Sequence, residues 1–450
     1  MVHDWWWGVM RRLLELDRPL PAHTEEELEG EVWRHYRWNF GFNLMDGVWF
    51  WFGISFLSST TIVPLFITKL TPNPFYVGLA ATIAQGAWFL PQLFTANIIE
   101  RLPRKKAVAV NLGLFAERLP MWIIVLAAPA ALVSPTLALA LFFLGYAWHG
   151  LGAGVVAPSW QELIARCFPV AVRGRFMGIT LFLGASAGIA SAFIATRLLN
   201  HYPFPVNFTY IFIFAAIGVT LSWMFLAGAR EPVRAARIPR RSSREFFAAL
   251  PALVQKDANF RRYLAARLLL VLGGMGTGFV TVAAVQRFQI PDGRVGIYTA
   301  ELLLGQTAAN LVFGLLADRR GHKLSLELGA LASVAAFLVA WLAPSAVWYD
   351  LVFFGMGITS GAIVVSGILI VLEFAPPDRR PTYAGMANTA VGAVSLVGPL
   401  AGAWLAGINY NLLFAISAMF YLAAWVAMRW GVAEPRWDPP GVSRVEPPAG

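Results

Sequence analysis

The chain has 450 residues, of which 58% are hydrophobic and only 13% are charged. A soluble chain carries about 25% charged residues, so the composition excludes an ordinary soluble domain and indicates a protein that crosses a membrane many times. The net charge of +10 is attributed to basic loops at one membrane surface, and no nucleic-acid partner is expected.

Residues 1–43 precede the first apolar run and are predicted to form an amphipathic segment at the cytoplasmic surface. Apolar residues recur at helical spacing, with charged residues largely on the other side, which is typical of a helix lying in the membrane interface. Thr24 followed by Glu27 predicts a capping box for a second helix. The apolar stripe consists of Trp5, Trp6, Val9, Leu13 and Leu16.

Twelve apolar runs follow, each long enough to span a bilayer as a helix. They divide into a six-helix bundle over 44–228 and a second over 263–430, joined by a polar linker at 229–262 and followed by a tail at 431–450 that is expected to be disordered. The predicted spans are 44–67, 76–98, 107–128, 136–160, 176–198, 206–228, 264–286, 295–317, 324–344, 348–372, 384–406 and 409–430. The abundant glycine and low charge favour packed helices over a β-barrel.

The loops between spans differ in charge according to the side on which they fall. One set holds most of the Arg and Lys residues, and the linker adds more to the same set, whereas the opposite loops hold few. The positive-inside rule therefore predicts that both termini and the linker are cytoplasmic, in a multi-pass protein of the cytoplasmic (inner) membrane. The basic set includes Arg101, Lys106, Arg166, Arg173, Arg319, Arg379, Arg230 and Arg240.

The stretch from Gly314 to Lys323 lies between the eighth and ninth spans and reads G-x-L-x-D-R-x-G-H-K. Gly314 would allow close helix approach, Asp318 places a carboxylate at a helix end, and Gly321 can adopt the positive φ that a very short turn needs. Arg319 and Lys323 add positive charge to this loop.

A second copy follows the second span, half a chain earlier. It keeps the acid Glu100, the adjacent Arg101 and the basic residues Arg104 and Lys105, but it has lost both glycines. Two such loops at half-chain spacing resemble the signature loops of the major facilitator superfamily, between helices 2 and 3 and between helices 8 and 9.

Further pairs repeat between the halves. Asn39-Phe40 before the first span is echoed by Asn259-Phe260 before the seventh, and Val77-Gly78 by Val295-Gly296. The resemblance covers about 39–430. It implies an all-α membrane protein with two pseudo-symmetric six-helix bundles, which acts as a monomer and moves a small organic solute bound near the midplane.

The resemblance also implies a cytoplasmic latch. The signature acids Asp318 and Glu100 would each face the start of a helix in the opposite half, for Asp318 near Gly174 and Gly178, where the helix dipole favours a carboxylate. Glu162 would pair with Arg101 or Arg104, and Glu373 with Arg319 or Arg380. These contacts would form when the cytoplasmic side closes and break when it opens. Arg173, Arg175 and Arg379 complete this set of helix-end charges.

Charged residues inside the spans cost at least roughly 2.5–3.5 kcal/mol each, so each needs a reason. Asp46, one turn after Asn43, is either within reach of water or an inner-gate group. Glu117 and Arg118 form a structural network or serve coupling, and as helix neighbours they need not pair with each other.

His149 is either a hydrogen-bonded interhelical histidine or, with Glu301, a candidate proton site, because histidine titrates near neutral pH. Neutral polar groups could bind a solute or join helices. These are Gln85, Gln306, Asn310 and Asn388.

The expected activity is secondary active transport, with coupled protons. Facilitated uniport and efflux of amphipathic compounds or drugs remain alternatives, as does a non-transporting sensor. Tyr146 stands where drug–proton antiporters of this superfamily carry an Arg, four residues before Gly150, which weakens the drug-antiporter alternative. No ATP-binding loop or catalytic motif is found, so an enzyme is not expected. No cofactor is expected, and a single cysteine, Cys167, excludes an internal disulfide and a multi-cysteine metal site.

Overall fold

A computed structural model describes residues 2–20, 24–233, 255, 257–367, 369–375 and 380–437, and within these ranges it describes residues 2–7, 93, 96, 97, 100, 170 and 380–382 only by their backbone. This part of the chain is built of helices and connecting loops. The predicted tail beyond residue 437, most of the linker and Arg379 lie outside the described residues.

The first half contains a surface helix and seven further helices. These are α1 (Val2–Leu13), α2 (Glu25–Ser55), α3 (Ile62–Leu70), α4 (Pro74–Glu100), α5 (Ala107–Ala130), α6 (Pro135–Cys167), α7 (Val170–His201) and α8 (Val206–Ala227). The predicted capping box at the start of α2 is present, with the Thr24 hydroxyl and the Glu27 carboxylate each accepting from the other's backbone N–H.

The second half repeats this order. It comprises α9 (Ala258–Phe288), α10 (Gly293–Arg320), α11 (His322–Leu342), α12 (Trp348–Ser366) with the short α13 (Leu369–Phe374), α14 (Arg380–Ile408) and α15 (Tyr410–Gly431). Among the described residues, ten helices are long and apolar enough to cross a membrane. Two more, α2 and α4, pack alongside them as the first and second predicted spans, which is consistent with the predicted twelve.

The predicted first span differs most from the structure. Instead of one helix over 44–67, α2 begins at Glu25 and ends at Ser55, and α3 continues from Ile62. The polar residues Ser58, Ser59 and Thr60 lie in the break between them. A break at membrane depth is tolerated where the backbone is buried in protein or lines a cavity, and both conditions hold at this position.

The two halves meet along two helix pairs, α7 with α10 and α4 with α14. Glycines allow these helices to approach closely. A Cβ at Gly78 of α4 would lie 2.6 Å from the Pro399 carbonyl oxygen of α14, and one at Gly296 of α10 would lie 2.9 Å from that of Ala192 of α7. We call the end of the molecule with residues 101–106, 318–323 and both closing segments (228–232 and 431–435) the loop face, and the opposite end the far face.

Gly152 is expected to be the most sensitive glycine in the first half. A Cβ there would lie 1.7 Å from the Ala116 carbonyl oxygen of α5, so Gly152→Ala must push α5 and α6 apart. Overpacking of this kind typically costs about 1–3 kcal/mol or more. Thermal unfolding of the purified protein should show a clear loss of stability. Gly314→Ala is the matched control, because nothing lies within 4 Å of its Cβ position; equal losses in both variants would contradict the prediction.

Candidate functional site

A cavity of about 320 Å³ lies between the two halves, bounded by α2, the break after it, α4, α6 and α10. Aromatic rings and neutral polar groups form its wall, and His149 is its one member with a readily titratable ring. No Asp, Glu, Lys or Arg occurs among the described lining residues. These are Phe50, Trp51, Ile54, Ser55, Leu57, Ser58, Ser59, Thr60, Ile83, Ala84, Trp88, Tyr146, His149, Gly150, Ala153, Thr299, Leu302, Leu303 and Gln306.

The cavity is closed toward the far face by contacts that join the halves, which we call the far seal. The hydroxyl oxygens of Thr61 and Thr299 lie 2.6 Å apart, and the Thr281 hydroxyl donates to the Thr60 carbonyl at 2.7 Å. Nearer the surface, the Lys69 ammonium lies 2.8 Å from the Asp292 carboxylate. Every described hydrogen bond or ion pair between the halves belongs to this side or to the midplane, where Thr82 donates to the Leu396 carbonyl.

The halves stand apart at the loop face. Nothing lies within 4 Å of a Cβ position at Gly174, Gly178 or Gly314, and the Asp318 side chain is exposed. The expectation that Gly314 permits a close helix approach is therefore wrong for this conformation. Gly321 has a φ of 83°, in the left-handed region that the sequence predicted for this turn. The cavity is thus sealed on one side of the molecule only.

His149 connects the cavity to the interior of the first half. Its Nδ1 lies 2.8 Å from the Glu117 carbonyl oxygen, and because a carbonyl only accepts, Nδ1 carries the proton and Nε2 is the acceptor of the neutral ring. Gly152 and Gly154 bring α5 and α4 against α6, which places this ring between the cavity and α5. His149 is therefore a hydrogen-bonded interhelical residue that also lines the cavity, and its role as a proton site stays a prediction.

Behind His149 lies a buried charged cluster formed by Asp46, Glu117 and Arg118, which are 3–4% exposed. Asp46 is buried and so is not within reach of water in this conformation, and its role as an inner-gate group stays a prediction. Its carboxylate accepts from the Ser222 hydroxyl at 2.6 Å and from the Trp160 indole at 3.2 Å, and it interacts electrostatically with the Arg118 guanidinium. The Asn43 amide, one turn earlier, donates to the Asn39 carbonyl.

Glu117 and Arg118 form an ion pair with each other, a pairing that the sequence left open. The region is wound as a π-helix, and both side chains are buried away from water. An unpaired charge buried away from water costs more free energy than the side-chain strain needed for two helix neighbours to meet. The two opposite charges therefore bind each other.

At the loop face of the first half, Glu231 lies just after α8 and binds the start of α5. Its carboxylate accepts from the backbone N–H groups of Lys105 and Lys106, each at 2.9 Å, and from Arg166 at 2.9 Å. The N-terminus of α5 is thereby capped by an acid, which its free N–H groups and dipole favour. Burial lowers the pKa of Lys106, and the carboxylates of Glu15 and Glu231 oppose that shift.

In the second half, Glu434 lies after α15 and binds the start of α11 in the same way. We call Glu231 and Glu434 the closing glutamates. The Glu434 carboxylate accepts from the Lys323 backbone N–H at 2.9 Å and occupies the space that a side chain at Gly321 would need. Burial raises the pKa of Glu434, although the bond from Lys323 favours its charged form. Arg436 then donates to the Glu373 carboxylate at 2.6 Å and to the Ala317 and Asp318 carbonyls.

The backbone beside each closing glutamate is held by the repeated asparagine. The Asn39 amide brackets the backbone of Arg230, donating to its carbonyl and accepting from its N–H. Asn259 does the same for Ala433. The Asn-Phe repeat seen in the sequence therefore marks the point where the first helix of each half binds the end of the last.

Two expected pairings at the loop face are replaced by others. Glu162 pairs with Arg166 at 3.2 Å and not with Arg104, because Arg104 instead donates to the carbonyls of Glu15, Arg18 and Pro19. Glu373 pairs with Arg436 and not with Arg319. These contacts stay within one half, so Glu162 and Glu373 do not bridge the halves in this conformation.

The other predicted residues are scattered. Glu301 is half-buried and does not line the cavity, and one of its carboxylate oxygens has no partner among the described residues. Gln306 lines the cavity, whereas Gln85 is exposed and outside it. The Asn310 carbonyl oxygen is buried without a described partner. Asn388 is half-buried and Arg175 is exposed. The Arg173 guanidinium donates to the Phe168 carbonyl, and the Lys105 ammonium donates to the Ile99 carbonyl.

Glu231, Glu434, Arg166 and Arg436 were missed as site residues, yet the sequence carries a signal for the two acids. Gly228-Ala229-Arg230-Glu231-Pro232 and Gly431-Val432-Ala433-Glu434-Pro435 share the pattern G-x-x-E-P at the end of each six-helix unit. A search for repeats beyond the last span of each half would have found it.

Comparison with known proteins agrees with this architecture. The sequence model of the Major Facilitator Superfamily matches residues 267–449, and no curated protein matches the chain. Solved structures with the same fold include a point mutant of the nucleoside transporter NupG, with a TM-score of 0.67, 14% identity, and coverage of 86% of this chain and 99% of that one.

A POT family transporter in complex with 5-aminolevulinic acid has a TM-score of 0.66 and 12% identity, covering 87% of this chain and 94% of that one. The human organic anion transporter MFSD10 has a TM-score of 0.59 and 15% identity, covering 87% and 99%. Identities this low establish the fold and leave the solute open. The family match covers residues 267–449, in the second half of the chain, and the structural similarity shows that the chain has the same fold as these transporters.

Proposed function

We propose that the protein is a secondary transporter that moves a small organic solute across the cytoplasmic membrane by alternating access. The observation that carries this proposal is the cavity between the halves, sealed at the far face by Thr61 and Thr299 and unsealed at the loop face. A cavity at the junction of two repeated bundles, reachable from one side at a time, is the arrangement that alternating access requires.

The loop face is assigned to the cytoplasm, with both termini on that side. The support is the charge of its loops, which include Arg104, Lys105, Arg319 and Arg320, against the sparse basic residues at the far face. In this orientation the described conformation is inward-facing.

Proton coupling is assigned to the buried cluster of Asp46, Glu117 and Arg118. With every group ionised, two carboxylates face one guanidinium, and the cluster carries a net charge of −1 inside the bilayer. A buried charge of this kind is strongly disfavoured, and one bound proton makes the cluster neutral. The groups that face it from the packed helices are Ser222, Trp160 and His149, and His149 links it to the cavity.

Glu301, the other expected coupling residue, is less well placed, because it lies outside the cavity wall. The variants Asp46→Asn and Glu301→Gln, described below, distinguish proton coupling by the cluster from proton coupling by Glu301.

The function is tested by reconstituting the purified chain into proteoliposomes and measuring the uptake of radiolabelled neutral and charged organic solutes. Uptake by the native chain that is absent from protein-free vesicles, and absent when the far seal is cross-linked, supports transport. A folded, oriented chain that moves no solute of the panel in either direction would count against it.

The cytoplasmic latch is carried by Asp318, whose carboxylate is exposed and forms no described hydrogen bond or ion pair in this open conformation. On closure it would meet the start of α7 near Gly174 and Gly178. Asp318→Asn should therefore weaken the inward-closed state; a loss of about 1.4 kcal/mol would shift the equilibrium roughly tenfold. Labelling of a cysteine at Ser58, added from the far side on a Cys167→Ser background, should fall accordingly.

Asp292→Asn is the matched control with the opposite sign. It removes the carboxylate that binds Lys69 across the far seal, so labelling of the same cysteine from the far side should rise. If both variants change labelling in the same direction, or Asp318→Asn leaves it unchanged, the signature loop is a structural turn and not a latch.

A further inference from the structure

The cavity wall contains several polar atoms that have no hydrogen-bond partner among the described residues. His149 uses Nδ1 for the Glu117 carbonyl and leaves Nε2 as an acceptor. The Tyr146 hydroxyl and the Gln306 side-chain amide also line the cavity without a described partner. Tyr146 and His149 belong to the first half and Gln306 to the second, so unused groups of both halves face one space.

The rest of this wall is aromatic or apolar. Trp51 and Trp88 contribute large rings, and Trp51 is held in place because its ring packs on Gly184 of α7. Aromatic rings offer wide contact surface for flat ligands at low cost in side-chain entropy. Binding sites commonly combine such walls with a few placed polar groups.

The described lining residues include no fixed charge of either sign. A charged solute would leave water for a low-dielectric space with no opposite charge to meet it, which is strongly unfavourable. A neutral solute with hydrogen-bonding groups loses little, because Nε2 of His149, the Tyr146 hydroxyl and the Gln306 amide can replace its water. The volume of about 320 Å³ lies near the lower end of the range of about 300–1,000 Å³ for ligand pockets.

We propose that the cavity binds an uncharged solute of one or two rings, with hydrogen-bonding groups at its edge that reach His149 and Tyr146 on one side and Gln306 on the other. The proposal rests on the transport function proposed above, of which it specifies the substrate class. Small ions, zwitterions, carboxylates and phosphates are excluded from tight binding at this site. Contact with both halves makes the bound solute sensitive to their relative position, as a transported solute must be.

The test uses matched pairs of probes that differ only in an ionisable group. Phenyl β-glucoside and phenyl β-glucuronide form one pair, and 3-hydroxybenzamide and 3-hydroxybenzoate form another. Binding to the purified full chain is measured by thermal stabilisation and by quenching of tryptophan fluorescence. The neutral member of at least one pair should bind, with its charged mate at least about tenfold weaker.

Gln306→Leu and Gln85→Leu provide matched variants, because both replace a glutamine with leucine and only Gln306 lines the cavity. Gln306→Leu should weaken binding of the neutral probe by about tenfold or more, and Gln85→Leu should leave it unchanged. The inference is overturned if charged mates bind as tightly as neutral ones, if the two variants behave alike, or if no neutral probe binds at millimolar concentration.

Transport is assayed separately with the same probes in proteoliposomes. A chain that binds neutral probes and moves none of them retains the inferred binding class but fails as a transporter. If the protein transports charged solutes and neither binds nor transports the neutral probes, it is a transporter, but the inferred substrate class is wrong.

Discussion

Cross-linking Thr61→Cys to Thr299→Cys is expected to abolish transport completely. The two hydroxyl oxygens lie 2.6 Å apart across the far seal, so the side chains point at each other as a disulfide requires. Once formed, the disulfide holds the halves together at the far face, and the outward-facing state cannot be reached. Solute flux in proteoliposomes should stop on oxidation and return on reduction, on a Cys167→Ser background.

Each single cysteine variant serves as a control and should retain flux under the same oxidation. Binding of solute from the loop face should persist in the cross-linked protein, because the cavity remains open on that side. Undiminished flux in fully cross-linked protein would show that the seal does not open during transport, and the alternating-access proposal would fail.

Asp46→Asn is expected to remove the response to a proton gradient. The substitution leaves Glu117 and Arg118 as a neutral pair and keeps an oxygen that can accept from Ser222 and Trp160, so the cluster no longer needs a proton. A gradient of one pH unit supplies about 1.4 kcal/mol, or about tenfold accumulation for one coupled proton. This accumulation should fall to equilibration, while exchange of labelled for unlabelled solute continues.

Glu301→Gln is the matched control, since it neutralises the other carboxylate that the sequence suggested for coupling. It should keep accumulation close to the native level. Loss of accumulation in Glu301→Gln together with its retention in Asp46→Asn would show that Glu301 of α10, and not the buried cluster, couples transport to protons. If uptake by the native protein is unchanged when the proton gradient is collapsed, the proposal of proton coupling is wrong for both residues.

The helices could be predicted well from the sequence because apolar runs of sufficient length have one stable form in a bilayer. The turn at Gly321 was equally accessible, since a tight turn between two helices needs a residue that tolerates positive φ. The break between Ser55 and Ile62 could not be read in this way. Ser58, Ser59 and Thr60 interrupt the apolar pattern only briefly, and the far-seal contact of Thr60 comes from Thr281 of α9, more than two hundred residues away.

Side-chain partners were predicted less well than helices. Glu373 has several basic residues near it in sequence, and the partner it finds, Arg436, reaches it only because Glu434 fixes the segment after α15. Glu117 and Arg118 were judged by the geometry of an ordinary α-helix, whereas the π-helical winding and the absence of water decide their pairing. Tertiary burial outweighs local pattern at both sites.

The closing glutamates also have a mechanical consequence. Glu231 and Glu434 bind the loop of each half to the segment after that half's own last helix, so in the proposed transport cycle each half would turn as a rigid body together with its loop. The halves would turn about midplane contacts such as that of Thr82 with the Leu396 carbonyl, and α10 extends from Gln306 at the cavity to Arg320 over about 20 Å at 1.5 Å per residue. A tilt of about 10° would therefore move the signature loop by about 4 Å, which changes the width of the opening at the loop face.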